Sequence, residues 1–432
     1  MKNADRSTRI ARKTATLTTG ILCILWLCIG GCNTLSIRHD GTESVPGVMI
    51  RVPVSQYPEF TDDMNYDDVE FAVRQSLSYL ETVSPDTPFA FGDEVYDTRH
   101  MTASLTHFLN FIHTRPVKSE LHRFIYDNYR VYQSVGNDRT GRVLFTGYYE
   151  PVLQGSPEKT DRFRVPVYTR PKDLISIDLS PFSPRFKGER IIGRFSGQTI
   201  VPYPDRREIN GSGALDGKAD ILAWLEDPVD LFFLQVQGSG KICLTDGSIL
   251  NVHYHASNGR PYRSIGRLLI EKQKIPRSGM SMQAIRSYLS QHPDELDEVL
   301  NYNPSYVFFK PEPDGPLGCL NVRLTPGRSV ALDRRIFPPA ALTFIQTRKP
   351  VIDGNGEIRN WRKFSRFAMN QDTGGAIRGP GRADLFWGDG PYAEIASGHM
   401  QHPGTLFFLV LKPDARTKMV EIRKPGIRAT LD

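Results

Sequence analysis

The apolar residues change period along the chain, and that change limits the folds open to it. Val69, Val73, Leu77 and Leu80 recur at helical spacing within residues 67–82, behind Asp67 and Asp68. Leu105, Phe108, Leu109 and Ile112 predict a second helix that Pro116 ends, and Leu121, Phe124, Ile125 and Tyr129 a third. From Val143 the character turns to β: VLFTGYYEPVL is rich in β-branched and aromatic residues and halts at Gly155 and Pro157. After a Pro- and Gly-rich stretch from Pro166 to Gly213, LFFLQVQGSGKICL (Leu231–Leu244) reads as a strand, a turn and a return strand. Asp246–Gly247 is a second hairpin signal. Short helices are expected at Ser264–Glu271, Met282–Gln291 and Pro293–Tyr302. Strands follow at Val330–Leu332, Leu342–Gln346, Phe364–Met369 and Thr405–Leu411, with a turn at Gly354–Gly356. With 36 Gly and 31 Pro, the chain favours short strands and many turns over long bundles. Helices, strands, helices, strands is the order of an α+β, β-rich fold with barrel-like parts, not of alternating βαβ units.

The first 32 residues stand apart. Lys2, Arg6, Arg9, Arg12 and Lys13 form a positive start, Leu17–Ile29 an apolar run too short for a comfortable span, and IGGC resembles a bacterial lipobox. The expectation is a cleaved signal with Cys32 lipidated. Asn33, not aspartate, after it suggests the periplasmic face of an outer membrane. Residues 1–31 carry five basic and one acidic side chain, so about +2 of the whole chain's +6 remains on the mature part. That gives no electrostatic case for nucleic acid. Cys243 and Cys319 are left either to pair or to stay buried thiols. No His/Cys cluster has metal-ligand spacing, so neither metal nor cofactor is expected.

QDTGGAIRGPGRADLFWGDGP, Gln371–Pro391, is the densest stretch, with six glycines, three aspartates and one tryptophan. Such glycine density lets backbone approach a ligand closely, and Trp387 offers a flat face for a pyranose. Asp372-Thr373-Gly374 matches the aspartic-protease triplet, but no second copy exists to share the proton.

Seven ordered blocks resemble the membrane-bound lytic murein transglycosylase A family. They are TGYYEPVLQGS, DLFFLQVQGSGKI, NGRPYRSIGRLLI, SMQAIRSYL, NPSYVFFKP, SVALDRRIFPP and DTGGAIRGPGRADLFWGDG, within residues 140–400. The resemblance implies a discontinuous double-psi β-barrel from residues 33–150 and 312–432 and an inserted β-rich domain at 151–311, with the glycan between them. It also implies a 3D domain named for three aspartates, here Asp333, Asp372 and Asp384, the last catalytic.

What it implies for activity is a lyase, a peptidoglycan lytic exotransglycosylase. Such an enzyme cuts between N-acetylmuramic acid and N-acetylglucosamine without water. The muramic C6 hydroxyl attacks its own anomeric carbon, a tethered nucleophile of high effective molarity, so one carboxyl can serve as acid and then base. Asp384 must then start protonated, raised by burial and by the charges of Asp333 and Asp372, which stay ionised beside Arg334 or Arg378. Tyr148, Tyr149, Gln235, Gln237, Ser239, Gly374 and Trp387 are the expected glycan contacts, Gln235 and Gln237 sharing a strand face. Arg260 and Arg263 either meet peptide-stem carboxylates or cap helices, and His253, His255 and His399 are structural. The partners implied are glycan strands and a membrane reached by the lipid anchor, the protein being a monomer. A hydrolytic muramidase would need a second carboxylate, Glu394 or Asp389, and a non-catalytic wall-binding lipoprotein would have no need of Asp384.

Overall fold

The computed structural model describes residues 47–211 and 213–415. Cys32 and the signal-like segment lie outside the described residues. The first part of the chain runs β1 (Met49–Arg51), α1 (Val69–Glu81), β2 (Pro88–Phe91), β3 (Glu94–Asp97), α2 (Thr98–Ile112), α3 (Lys118–Asn128), β4 (Tyr129–Ser134) and β5 (Val143–Glu150). The middle runs β6 (Val152–Ser156), β7 (Val165–Tyr168), β8 (Ile175–Asp178), β9 (Arg190–Ser196), β10 (Thr199–Pro202), α4 (Arg206–Gly211), β11 (Ile221–Leu225), α5 (Pro228–Gln237), β12 (Ser239–Leu244), β13 (Ile249–Ser257), α6 (Ile265–Glu271), α7 (Met282–Gln291), α8 (Leu296–Asn301) and β14 (Val307–Pro311). The last part runs β15 (Ser329–Ala331), β16 (Leu342–Ile352), β17 (Ile358–Asp372), β18 (Arg382–Asp389), α9 (Gly390–His399) and β19 (Gln401–Leu411). The fold is α+β and β-rich.

Two closed sheets organise it. In the first, β19, β16, β17, β15, β18 and β5 lie side by side, and β19 pairs back onto β5, so six strands close on themselves. β4 and β1 extend this barrel at one edge. The closure is possible because β19 is long: Gln401–Gly404 pair with β5 while Phe407–Leu411 pair with β4. The second sheet runs β14-β13-β12-β6-β11-β7, and a bridge between Thr169 and Phe309 brings its two ends together. A small sheet, β10-β9-β8, attaches beside it through Ile192.

The helical stripes of α1 and α2 bury Val73, Leu80, Leu105 and Phe108 against the first barrel, in one core with Phe344 and Phe367. Burying side chains of this size stabilises by roughly 1.5–3 kcal/mol each. α6, α7 and α8 lie within the middle of the chain, yet Ile265, Leu269, Ile285 and Leu300 join this same core.

The expectation of a strand at Leu231 is overturned. Pro228–Gln237 is α5, because Asp227 caps it by accepting from the Val229 N–H at 2.8 Å, Pro228 starts it, and Gly238 ends it with φ +84°. α5 carries apolar residues on more than one face because it lies between two cores: Phe232 and Phe233 face the first, Leu231 and Leu234 the second. The return strand, β12, and the turn at Asp246–Gly247 are as expected.

Candidate active site

The site is built around the three-residue strand β15. Its Ala331 pairs with Asp372 of β17 on one side and with Asp384 of β18 on the other. Cross-strand partners share a face, so the two carboxylates emerge together, one strand apart. β5 runs parallel to β18 with Thr146 opposite Asp384 and Tyr148 opposite Phe386. The glycine-dense segment thus contributes two strand ends and the loop joining them.

Asp384 is partly exposed but closely surrounded, and the Thr146 hydroxyl donates to its Oδ1 at 2.6 Å. Burial raises its pKa to about 6, against the lowering effects of that bond and of the Arg382 cation. Asp372 accepts three hydrogen bonds, from the Tyr148 phenol at 2.8 Å, the Thr373 N–H at 2.8 Å and the Cys319 N–H at 3.0 Å. Burial nevertheless raises it too to about 6, with the charge of Asp384 adding to the effect. Asp384 was expected to be raised alone; the enclosure of Asp372 by Tyr148 and Cys319 makes them a raised pair.

Asp333 is different. It is fully buried, and burial alone would raise its pKa. Arg335 holds it below the usual carboxylate range, donating from Nε at 2.9 Å and Nη2 at 2.7 Å, while the Gly379 N–H adds a bond at 2.8 Å. Neither Arg334 nor Arg378 is its partner, contrary to expectation. Arg378 instead donates to the carbonyls of Gly374 and Ile377 and braces the loop. Asp333 therefore acts from behind, pinning Gly379 on the loop between β17 and β18.

The expected glycan contacts divide. Tyr148 lies at the site through Asp372, and Gly374 lies in the partly exposed loop after it, where a Cβ would meet Ile377 at 3.0 Å. Gln237 reaches the site's edge from the end of α5: its Oε1 accepts the Tyr149 N–H at 3.1 Å, where the ladder between β5 and β18 is interrupted. Gln235 does not share its face, since two residues along a helix turn away from each other. It is buried and donates to the Val307 carbonyl at 3.2 Å. Ser239 is buried in β12 opposite His253.

Trp387 is no sugar platform. It is 8% exposed and packs among Phe364, Tyr392 and Arg366. Tyr149 is likewise buried.

Arg260 donates to the Tyr203 carbonyl, and Arg263 lies over the Tyr302 ring, so neither side chain caps a helix. His253 is partly buried, which lowers its pKa to about 4, and His399 bonds the Ile395 carbonyl within α9. Cys243 and Cys319 are both free. Thr146, Arg382 and Arg335 were not singled out from sequence. Thr146 and Asp384 are 238 residues apart, so only the parallel pairing of β5 and β18 reveals them.

The MltA specific insert domain matches residues 144–310, and the 3D domain matches residues 328–410. Membrane-bound lytic murein transglycosylase A of Escherichia coli (strain K12) is 38% identical over 287 residues, 66% of this chain and 70% of that protein. The crystal structure of a membrane-bound lytic murein transglycosylase from Agrobacterium tumefaciens superposes with TM-score 0.69 at 29% identity, covering 85% of this chain and 99% of that one. E. coli MltA with bound chitohexaose superposes with TM-score 0.63 at 28% identity, covering 87% and 97%.

Proposed function

The chain belongs to the membrane-bound lytic murein transglycosylase A family, and from that membership we propose how it works. It is a peptidoglycan lytic transglycosylase, a lyase. Asp384 is its single acid and base. Protonated at the outset, it gives its proton to the oxygen between N-acetylmuramic acid and N-acetylglucosamine as the bond to the muramic anomeric carbon breaks. As carboxylate it then takes the proton of the muramic C6 hydroxyl while that oxygen closes the 1,6-anhydro ring. No water enters the balance.

The observation that carries this reading is the state of Asp384: one oxygen held by Thr146, the other without a hydrogen-bond partner among the described residues, and a pKa near 6. A carboxyl so placed carries a proton often enough to act as an acid and is ionised readily enough to act as a base. Asp372, with Asp384's charge acting on it, lies where negative charge would stabilise an oxocarbenium-like state. Asp333 fixes the loop. In this reading Tyr148, Gln237 and Gly374 border a glycan lying between the two barrels, and that the E. coli relative binds chitohexaose supports a glycan as the ligand.

The first barrel, formed by the described part of residues 33–150 and 312–432, is double-psi in our reading, supported by its parallel pairs β15–β17 and β18–β5; residues 151–311 are the insert. The body is held by lipid on Cys32 at the periplasmic face of the outer membrane, as a monomer. No helix among the described residues is long and apolar enough to cross a membrane.

Hydrolysis with Asp389 or Glu394 as a second carboxylate has less support, since Asp389 is engaged by Lys241 and Glu394 lies on α9, where its charge acts on Tyr149. The test is digestion of isolated sacculi in ¹⁸O-labelled water. Unlabelled anhydro ends, abolished in Asp384→Asn, are expected; labelled reducing ends, or activity surviving that substitution, overturn the reading.

A further inference from the structure

The hydroxyl of Thr146 has one proton, and its neighbours decide where that proton points. Arg382 Nη2 lies 3.3 Å from Thr146 Oγ1. A guanidinium has donors and no acceptor, so this bond runs from Arg382 into a lone pair of Thr146. The Thr146 proton is left for Asp384 Oδ1 at 2.6 Å. Oδ1 is then committed as an acceptor. A proton on Oδ1 aimed at Thr146 would make that hydroxyl accept twice, from Oδ1 and from Arg382, and leave its own proton with no acceptor among the described residues.

We propose that Arg382, acting through Thr146, places the acid proton of Asp384 on Oδ2, the oxygen open to the glycan, and is thus a positioning residue for the transfer. This rests on Asp384 being the acid and base.

The fold holds the relay in register. Arg382 and Asp384 are two residues apart on β18 and share a face, and Thr146 is the direct partner of Asp384 across the parallel pair. Arg382 makes no ion pair among the described residues. Its Nε is buried without a hydrogen-bond partner, so packing rather than a carboxylate sets its position. The relay leaves the reaction's balance unchanged. Oδ2–H breaks as the bridging oxygen gains the proton and its bond to carbon 1 opens. The C6 hydroxyl later returns a proton to Oδ2 as its oxygen bonds carbon 1. Oδ1 accepts from Thr146 throughout.

Other charges reach this carboxyl. Asp372 acts from β17, the Tyr148 phenol lies on β5, and Arg382 is on β18 itself. β15 contributes only Ser329, Val330 and Ala331. On α9, the charge of Glu394 acts on Tyr149.

The test compares Arg382→Met, Thr146→Val and their double variant, with Arg382→Lys and Thr146→Ser as conservative controls. Release of anhydro-muropeptides from sacculi is followed between pH 4 and 8. Each disruptive single variant should lose about 10- to 100-fold in kcat with little change in KM, a fraction of what acid–base catalysis contributes. The double variant should lose no more than the worse single. In Arg382→Met the high-pH limb should move upward, because a cation favouring ionised Asp384 is gone. Arg382→Lys and Thr146→Ser should recover most of the rate. Single losses that multiply, or an Arg382→Met enzyme with unchanged kcat and limb, overturn the relay. If Arg382→Met fails to fold, an Arg382→Lys enzyme with the kcat loss and shifted limb expected of Met also overturns it. Retained activity in Asp384→Asn would instead overturn the acid assignment beneath it.

Discussion

Tyr148 donates its phenol to Asp372 at 2.8 Å, joining two residues 224 positions apart at the face where β5 and β17 present the site. Burial and the neighbouring carboxylates push the phenol well above its usual range, so it stays a neutral donor. Tyr148→Phe removes one of three bonds to Asp372. A hydrogen bond to a charged group contributes about 1.5–3 kcal/mol, so urea unfolding at pH 8 should show a loss of that order. The loss should shrink at pH 4, where Asp372 is protonated. An equal loss at both pH values would mean that the phenol does not serve the charged form.

The raised pair makes the site costly to keep. Asp384 has a pKa of about 6 folded against an ordinary value of 3.8. The folded state therefore holds its proton more tightly, and stability falls as pH rises between those values. The full cost, present above both, is up to about 3 kcal/mol. Asp384→Asn should thus melt higher than the parent at pH 8 and at nearly the same temperature at pH 3.5. The parent's cleavage rate should decline as pH rises through about 6, because the acid form is lost. A variant less stable than its parent at pH 8 would show that burial does not oppose the charge.

The helical periods and turn residues were legible because their causes are local. α1, α2 and α3 follow from apolar stripes, and the Asp246–Gly247 turn from its own two residues. α5 is not legible as a helix because a segment packed between two cores has no clear period to detect. Its ends carried the signal: Asp227 as cap, Pro228 at the first turn and Gly238 beyond the last. Asp333, Asp372 and Asp384 could be named in the chain, but their partners could not. Arg335 rather than Arg334 pairs with Asp333, a choice made by side-chain direction in a turn. Trp387 looked like a platform for want of knowing that Gly147, on another strand, leaves the space it fills.

That space is tight. A Cβ on Gly147 would lie 2.6 Å from Trp387 Nε1 and 2.9 Å from the Ser397 backbone. Gly147 also sits between Thr146 and Tyr148, which hold the two carboxylates. Gly147→Ala should cost about 1–3 kcal/mol as overpacking and should displace both donors, so cleavage should fall by more than tenfold. Chemical denaturation and sacculus digestion check the two parts. Normal stability and activity together would show that the strand shifts at no cost.

Lys241 of β12 reaches from the second barrel to Glu150, at 3.3 Å, and to Asp389, the ends of β5 and β18 in the first. The Glu150 side chain is only 4% exposed. Burial raises its pKa, and Lys241 is the first influence opposing that rise. Lys241→Met leaves a buried carboxylate without its cation, a change that costs about 3–5 kcal/mol when a buried pair is broken. The loss should be largest at pH 8 and should lessen as pH falls and Glu150 takes up a proton. Adding Glu150→Gln should recover much of the stability, since the charge that needed a partner is gone. Denaturation of the two singles and the double, at pH 8 and pH 5, measures the coupling. If the effects simply add, Lys241 does not hold the barrels together through Glu150.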